Sequence, residues 1–310
     1  MADSQLPRFL DSGLETALIL EDDVDWDIRL RSVQIPLAAS AVRTLMPPAK
    51  PQPSRFRKPD DKNLHYWGNP ESWDLLYLGH CGDYFNPVTY EGLSKTKKPL
   101  NLTDIPHVVF ADPSLPDRED LHPFTQELFN VLRMPDHSRA FHRSKFPLCS
   151  FGYAVTRSAA EHLISELAPP KLKEKGPRAF DVALLHACMK GSRTPSPTPH
   201  NNPHPHPDPK LRNKYASPGL RCWSFNSEYF HHMPGASQIA EIGMVMGEQA
   251  GIPPVDAAGQ QLVNERNETI NIGCGFWNGA FAYEDDDTER LKFLQEKVGR
   301  QGKCWKQGRN

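Results

Sequence analysis

A short apolar run that ends in a cluster of carboxylates constrains the fold more than any other feature of this chain. Residues 16–21 read Thr-Ala-Leu-Ile-Leu-Glu, and the acids from Glu21 to Asp25 place four carboxylates within five residues. A short apolar run bounded by polar residues is typical of a strand buried on both faces, as in a parallel sheet covered by helices. We therefore predict a buried strand whose carboxyl end carries a dense negative charge.

Two interpretations of these carboxylates are open on the residues alone. Like charges packed at the end of a strand repel one another unless a cation or the start of a helix offsets the repulsion. Ligands of open α/β sheets lie beyond the carboxyl ends of the strands, and hard oxygen ligands there suit Mn²⁺ or Mg²⁺ with a bound diphosphate. In the other interpretation, Asp22, Asp23 and Asp25 cap the following helix and stay solvated.

Other apolar runs alternate with amphipathic segments along the chain. We predict strands at 73–79, 107–110 and 148–156, and helices at 27–46, 157–167, 180–189 and 288–298. Alternation of this kind favours an α/β fold with a mostly parallel sheet flanked by helices.

Proline content predicts long irregular stretches, since 30 of the 310 residues are proline. We expect a single domain over residues 1–310, with a surface loop at 47–62 and a partly disordered tail at 285–310. Residues 191–214 are expected to be a disordered insertion rich in proline and histidine, because such a run excludes a helix interior and a central strand.

Charge and hydropathy exclude several classes of partner. The formal net charge is −2, from 36 basic and 38 acidic residues, which argues against a broad surface for nucleic acid or acidic lipid. No run approaches the roughly 20 apolar residues of a membrane span, so we expect no transmembrane segment. The first residues have no pattern of a signal peptide. Two sequons, at Asn101 and Asn267, are usable only if the chain enters the secretory pathway.

The six cysteines are spread without a C-x-x-C pair, which argues against a zinc cluster. At this length a dense disulfide framework is also unexpected. Isolated buried thiols are the favoured interpretation, and one or two disulfides in an oxidising compartment stay open.

Four sequence blocks resemble, in the same order, those of glycosyltransferase family 25, the lipopolysaccharide-type and collagen-type sugar transferases. They are Ala-Leu-Ile-Leu-Glu-Asp-Asp-Val at 17–24, Trp-Asp-Leu-Leu-Tyr-Leu-Gly at 73–79, Gly-Tyr-Ala-Val-Thr-Arg-Ser-Ala-Ala at 152–160 and Phe-Asp-Val-Ala-Leu-Leu at 180–185. The aromatic segment at 222–232 is similar to the later block of fungal-type members. Each block is moderately specific, and their shared order strengthens the resemblance.

The resemblance implies a GT-A-like fold, which is a Rossmann-like single domain. It also implies an inverting glycosyltransferase that moves a sugar from a nucleotide sugar, by expectation UDP-linked, to a hydroxyl of a glycan or glycoprotein acceptor. The cofactor expected with this chemistry is Mn²⁺ or Mg²⁺. Enzymes of this type in eukaryotes work in the lumen of the endoplasmic reticulum or the Golgi, so that compartment is the expected localisation.

The resemblance also carries roles to individual residues. The expected donor-binding residues are Glu21, Asp22 and Gly152; the expected metal ligands are Asp23, Asp22 and His232; and the expected catalytic base is Asp181. Simpler interpretations stay open: Gly152 as a glycine required by a turn or by close packing, Asp181 as an ordinary acid at a helix start, and His231 or His232 as a core or surface histidine.

One departure from the family keeps a second function open. Family members have a strand–helix segment with a nucleotide-binding turn before the acidic motif, whereas 16 residues precede Ala17 here. The first strand or strands of the sheet are therefore expected to be missing. The intact carboxylates favour a metal-dependent glycosyltransferase, and the missing segment favours a catalytically inactive, glycosyltransferase-like binding or scaffold protein.

Overall fold

A six-stranded mixed sheet with helices on both faces forms the centre of the structure, which is a computed structural model. The structure describes residues 2–21, 24–47, 66–83, 85, 101–115, 117–121, 123–169, 179–191, 219–232 and 281–301. The strands are β1 Thr16–Leu20, β2 Val24–Trp26, β3 Leu75–Gly79, β4 Gly82–Asp83, β5 His107–Ala111, β6 Ser138–Arg143, β7 Pro147–Leu148, β8 Gly152–Thr156, β9 Cys222–Asn226 and β10 Phe230–His232. The helices are α1 Ala2–Asp11, α2 Ile35–Leu45, α3 Pro123–Leu132, α4 Arg157–His162, α5 Phe180–Gly191 and α6 Thr288–Leu294.

The strand order in the main sheet is β1-β8-β3-β9-β6-β5. The predicted α/β class is confirmed, but the prediction of a mostly parallel sheet is wrong, because β3–β9 is the one parallel pair and the other four neighbouring pairs are antiparallel. The cause is that β8 and β6 run against their neighbours. The apolar pattern of a buried strand reports its burial and not its direction, so the sequence did not reveal this.

The pairing nevertheless makes β1, β3, β9 and β5 run in the same direction. Their last residues, Leu20, Gly79, Asn226 and Ala111, therefore lie at one end of the sheet, here called the carboxyl edge. Residues from distant parts of the sequence meet at this edge.

The predicted strand at 16–21 is confirmed as β1, but β1 is less buried than expected. Within the described residues it pairs with β8 on one side and forms the border of the sheet. Leu18 is consequently 50% exposed. A strand that is apolar on both faces thus occupies a half-exposed position.

Apolar side chains from the sheet alternate between two cores. On one face, Tyr77 and Tyr153 pack with α1, α4 and α5, to which Leu6, Ala160 and Leu184 belong. On the other face, the sheet packs against α2; the members of this core include Leu76, Leu78, Ala38, Val42, Phe141, Phe225 and Phe230. Two-sided burial explains why β3 and β8 are apolar in most positions.

The predicted helices are confirmed with small shifts of their ends. A π-type turn at Leu30–Gln34 leads into α2, and Pro36 lies in the first turn of α2. The Thr156 hydroxyl accepts a hydrogen bond from the Ala159 N–H at 3.3 Å and so caps α4. We did not predict α1, α3 or β6. Within the described parts of the chain, none of the helices has the length and apolar character to cross a membrane.

Two further predictions fall largely on residues that the structure does not describe. The expected surface loop at 47–62 lies outside the described residues beyond position 47, and the expected insertion at 191–214 lies outside them beyond position 191. In the expected tail at 285–310, the predicted helix is confirmed as α6 and the turn that follows it, Gln295–Arg300.

Candidate functional site

The carboxyl edge places Glu21 next to Gly152. Leu20 pairs with Gly152 in the β1–β8 register, and the Glu21 N–H donates a hydrogen bond to the Phe151 carbonyl at 3.0 Å. These residues are separated by more than a hundred positions in the sequence. The structure therefore brings together two of the residues that were expected to bind the donor.

Gly152 also has a packing role. It lies opposite Gly79 of β3, and Phe230 of β10 covers both glycines. A Cβ atom on Gly79 would lie 2.9 Å from the Phe230 Cβ, and one on Gly152 would lie 2.9 Å from the Phe230 Cδ2. The close-packing interpretation of Gly152 is thus supported by geometry, while its contact with a donor sugar stays a prediction.

The strands β2 and β10 bring the histidines to the acidic segment. They pair antiparallel, with His232 opposite Val24 and His231 opposite Asp25. The backbone of His232 therefore lies opposite Val24, the residue that follows Asp23 in the sequence. Asp22, Asp23 and the side chain of His232 are outside the described residues, so their roles as metal ligands stay predictions.

The described residues do not by themselves form a metal site. Among them, no group of three or more His, Cys, Asp or Glu side chains is arranged to hold an ion. Of the expected ligands Asp22, Asp23 and His232, the two aspartates supply hard oxygen atoms, which suit Mn²⁺ or Mg²⁺. Because Asp22 and Asp23 are not described, we derive no reaction step through an ion.

Asp181 lies in the first turn of α5, as predicted, and its Oδ1 accepts a hydrogen bond from the Val182 N–H at 2.8 Å. The ring of the preceding residue, Phe180, is 6.4 Å from the ring of Tyr153. Burial raises the pKa of Tyr77 well above its ordinary value, and the negative charges of Asp83 and Asp181 raise it further. Asp181 is therefore within electrostatic reach of the strand that ends at Gly79.

Tyr77 and Tyr153 lie side by side on β3 and β8, between Glu21 and Asp181 in the electrostatic sense described next. Burial raises the pKa of Tyr153, and the charge of Glu21 raises it further. Both phenols are buried. The charge of Glu21 acts on Tyr153, and the charge of Asp181 acts on Tyr77. Within the described residues, the hydroxyl of Tyr153 is buried and has no hydrogen-bond partner. We predicted no functional role for either tyrosine from the sequence.

A second polar cluster lies on the opposite face of β10 and was not predicted. His231 Nδ1 is 3.4 Å from Glu228 Oε1, and the Thr125 hydroxyl of α3 donates to Glu228 Oε2 at 2.8 Å. Both Glu228 and Thr125 are buried. The carboxylate therefore fixes the orientation of the imidazole, which supports a structural role for His231 as well as a functional one.

The turn between β9 and β10 is held by a buried arginine. Arg139 donates to Asp112 at 2.5 Å and to the carbonyls of Ser227 and Glu228 at 2.6 and 2.9 Å, and its guanidinium lies 4.1 Å from the ring centroid of Tyr229. Burial alone would raise the pKa of Asp112, but the charge and hydrogen bond of Arg139 outweigh burial and hold this pKa below its ordinary value. No local sequence pattern marked Arg139 or Asp112 as buried, because β6 reads Ser-Arg-Ala-Phe-His-Arg and carries several polar residues.

Two disulfides fix the surroundings of the site. Cys81–Cys149 joins the segment after β3 to the segment before β8, with a Cα–Cα distance of 5.4 Å. Cys188–Cys222 joins α5 to β9, with a Cα–Cα distance of 5.5 Å. The favoured interpretation of isolated thiols is therefore wrong for these four cysteines. Cys274 and Cys304 lie outside the described residues.

Comparison of the chain with protein-family models, with curated proteins and with solved structures gives no match. A functional assignment therefore rests on the residues of the chain and on their geometry.

Proposed function

We propose that this protein is an inverting glycosyltransferase that moves a sugar from a nucleotide sugar, with UDP as the expected nucleotide, to a hydroxyl of a glycan or glycoprotein. One observation carries the proposal: Glu21 and Gly152, expected from separate motifs to bind the donor, are neighbours at the carboxyl edge. Ligands of α/β sheets bind at this edge.

The donor would lie against the acidic segment and Gly152. In this arrangement Glu21 and Asp22 would orient the donor through its ribose and diphosphate, while Asp22, Asp23 and His232 would hold Mn²⁺ or Mg²⁺. A divalent ion held there supplies neutralisation of the charge that develops on the departing diphosphate. The acids alone would repel a diphosphate, so donor binding is expected to require the cation.

Asp181 is the proposed general base. It takes the proton from the acceptor hydroxyl while that oxygen forms a bond to the anomeric carbon. The bond from this carbon to the diphosphate oxygen breaks on the opposite side, so the configuration inverts and the nucleoside diphosphate leaves. The position of Asp181 in the first turn of α5, within electrostatic reach of Tyr77, supports this role.

A GT-A-like arrangement is part of the proposal. Four strands share one direction, helices cover both faces of the sheet, and Glu21 lies at the carboxyl edge. A mixed sheet in which β8 and β6 run the other way is compatible with ligand binding at this edge, because the ends of the four co-directed strands still meet there.

We also propose that the protein works in the lumen of the endoplasmic reticulum or the Golgi. The support is the pair of disulfides, Cys81–Cys149 and Cys188–Cys222. Disulfides form and persist in oxidising compartments and are rare in the cytosol.

The test is release of nucleoside diphosphate from a panel of nucleotide sugars, with Mn²⁺ or with EDTA, in the presence of glycan and glycoprotein acceptors. We expect release that depends on Mn²⁺ and that is lost in Asp181→Asn. Asp117→Asn is the matched control, because the Asp117 side chain is 79% exposed and lies in a different part of the chain.

Two results would contradict the proposal. One is release that survives in Asp181→Asn at the wild-type rate, which would remove the proposed base. The other is binding of nucleotide sugars without release from any of them, which would favour the inactive binding or scaffold protein.

A further inference from the structure

We propose that Asn101 is a site of N-linked glycosylation, which would attach an oligosaccharide to a surface turn of the chain. The sequence Asn-Leu-Thr at 101–103 is a sequon for this modification. The inference is independent of the proposed transferase activity, because here the chain is the acceptor of the sugar and not the catalyst.

The turn presents the two required side chains to solvent. Asn101 immediately precedes a short 3₁₀ turn, Leu102–Asp104, that leads into β5. Leu102 is buried in a core with Phe129 of α3, whereas Asn101 and Thr103 are exposed. The buried leucine thus anchors the sequon while its asparagine and threonine stay accessible to solvent.

The hydrogen bonds that fix this turn do not depend on the amide nitrogen to be modified. The backbone N–H of Asn101 donates to Asp104 Oδ2 at 2.8 Å, and the backbone N–H of Asp104 donates to the Asn101 carbonyl at 3.0 Å. The turn is therefore held by backbone groups, by the Asp104 carboxylate and by the Asn101 side chain, which accepts a hydrogen bond from the Asp104 backbone in a capping box. An amide accepts through its oxygen and not through Nδ2. An oligosaccharide on Nδ2 of Asn101 leaves these bonds intact.

The sequon is also placed where a glycan would not cover the candidate site. It leads into β5, which is the outer strand at the end of the sheet opposite β1. Five strand spacings separate these outer strands, which corresponds to roughly 24 Å. Glu21 and Gly152 therefore lie at the far end of the sheet from the modified turn.

The disulfides supply the second, independent observation. Four cysteines pair within the described residues, which is typical of a chain that folds in an oxidising lumen. Asparagine-linked glycosylation takes place in the same compartment of eukaryotic cells, on sequons of secreted chains. Two features from separate parts of the sequence thus indicate one cellular environment.

The reaction needs a donor and an enzyme that the secretory pathway supplies. Nδ2 of Asn101 forms a bond to the anomeric carbon of an oligosaccharide carried on a lipid diphosphate. The bond from this carbon to the diphosphate oxygen breaks, the lipid diphosphate leaves, and one amide proton passes to a base of the transferring enzyme.

The experiment uses the full chain, produced in eukaryotic cells with a secretion leader and recovered from the medium. Peptides are analysed by mass spectrometry with and without peptide N-glycosidase, which converts a glycosylated asparagine to aspartate. We expect this conversion at Asn101. Asn267→Gln is introduced throughout, so that the second sequon does not contribute.

Three variants separate modification from folding. We expect the glycan to be lost in Asn101→Gln. It should also be lost in Thr103→Ala, although this variant keeps the asparagine. Thr103→Ser keeps the sequon and should retain the glycan. A secreted chain whose Asn101 is unmodified, with the Cys81–Cys149 disulfide formed, would overturn the proposal. So would modification of Asn101 in Thr103→Ala at the level found with Thr103.

Discussion

Phe230 lies so close to Gly152 that a Cβ atom on the glycine would be 2.9 Å from the Cδ2 atom of the ring. The contact joins the start of β8 to β10, and therefore joins the Gly152 block to the segment that carries the two histidines. A glycine at this position is required by the fold before any donor binds.

Replacing Gly152 by alanine is expected to destabilise the protein. The added methyl group meets the Phe230 ring and the backbone must shift, which costs about 1 to 3 kcal/mol in the free energy of unfolding. Urea unfolding measures this change. The double variant Gly152→Ala with Phe230→Leu should recover part of the loss relative to Phe230→Leu alone. Unchanged stability in Gly152→Ala, combined with weaker donor binding, would instead make donor contact the main role of this glycine.

The two disulfides are expected to differ in their sensitivity to reduction. Cys188 and Cys222 are 4% and 1% exposed, while Cys81 and Cys149 are partly exposed. A dithiol should therefore reduce Cys81–Cys149 in the native protein and reach Cys188–Cys222 only when the chain unfolds. Alkylation of the released thiols followed by peptide mass spectrometry distinguishes the two pairs. Equal labelling of both pairs under native conditions would contradict this order.

Removing the accessible disulfide is expected to weaken the fold around the candidate site. Loss of a disulfide costs about 2 to 4 kcal/mol in the free energy of unfolding. The variant Cys81→Ser with Cys149→Ser should show this loss in urea unfolding under oxidising conditions. Under strongly reducing conditions its stability should approach that of the wild type, since both proteins then lack the bond. A difference that persists after full reduction would assign the effect to the serine side chains.

The Arg139–Asp112 pair is expected to make the protein sensitive to acid. The pKa of Asp112 in the native state is held below its ordinary value. As the pH falls, the unfolded chain therefore binds a proton at this residue before the native state does. The stabilisation is present above a pH of about 4 and is lost as the pH falls towards the native pKa of Asp112. Asp112→Asn should cost about 3 to 5 kcal/mol at neutral pH, because it leaves a buried guanidinium without its counter-charge.

The difference between wild type and Asp112→Asn isolates this residue. Asp27 acts in the opposite direction, since burial raises its pKa and its native carboxyl binds a proton first. Asp27 is present in both proteins, so its contribution cancels in the comparison except for its interaction with Arg139, which lowers the pKa of Asp27. Unfolding free energies measured between neutral pH and pH about 3 should converge as the pH falls. A difference that stays constant over this range would rule out the charge of Asp112 as its cause.

Asp23→Ala is expected to abolish the metal-dependent binding of a nucleotide sugar. The reason is that Asp23 is the proposed ligand that fixes the cation between the protein and the diphosphate. Calorimetric titration of the donor, with Mn²⁺ and with EDTA, measures the effect, and Asp117→Ala is a control for loss of an exposed carboxylate. If the affinity of Asp23→Ala for the donor equals that of the wild type with Mn²⁺, the proposed metal site is wrong.

Local patterns predicted the elements that contribute to the candidate site, but not their directions. The apolar run at Thr16–Leu20 and the segment Phe180–Gly191 are found as predicted, because burial on one or two faces leaves a periodicity in the sequence. The antiparallel insertion of β8 next to β1 leaves no such trace. A strand shows the same apolar pattern in either direction.

The local sequence pattern also could not predict which polar side chains pair when they are distant in the sequence. Arg139 and Asp112 are 27 positions apart, and nothing local marks either of them as buried. Cys188 and Cys222 are 34 positions apart, and cysteine spacing alone does not determine which pairs form. In contrast, Gly152 and Glu21 could be associated through their motifs, although their contact became visible only from the register of β1 and β8.

The half-exposed border strand has a practical meaning for the isolated protein. Among the described residues, strand β1 pairs with β8 on one side only, so it combines a solvent-facing Leu18 with main-chain groups that can add to another extended segment. We therefore expect concentrated samples to aggregate through edge-to-edge pairing of β1. Replacing Leu18 by lysine offers a simple route to samples that remain dispersed, since a charged side chain on a border strand opposes such stacking.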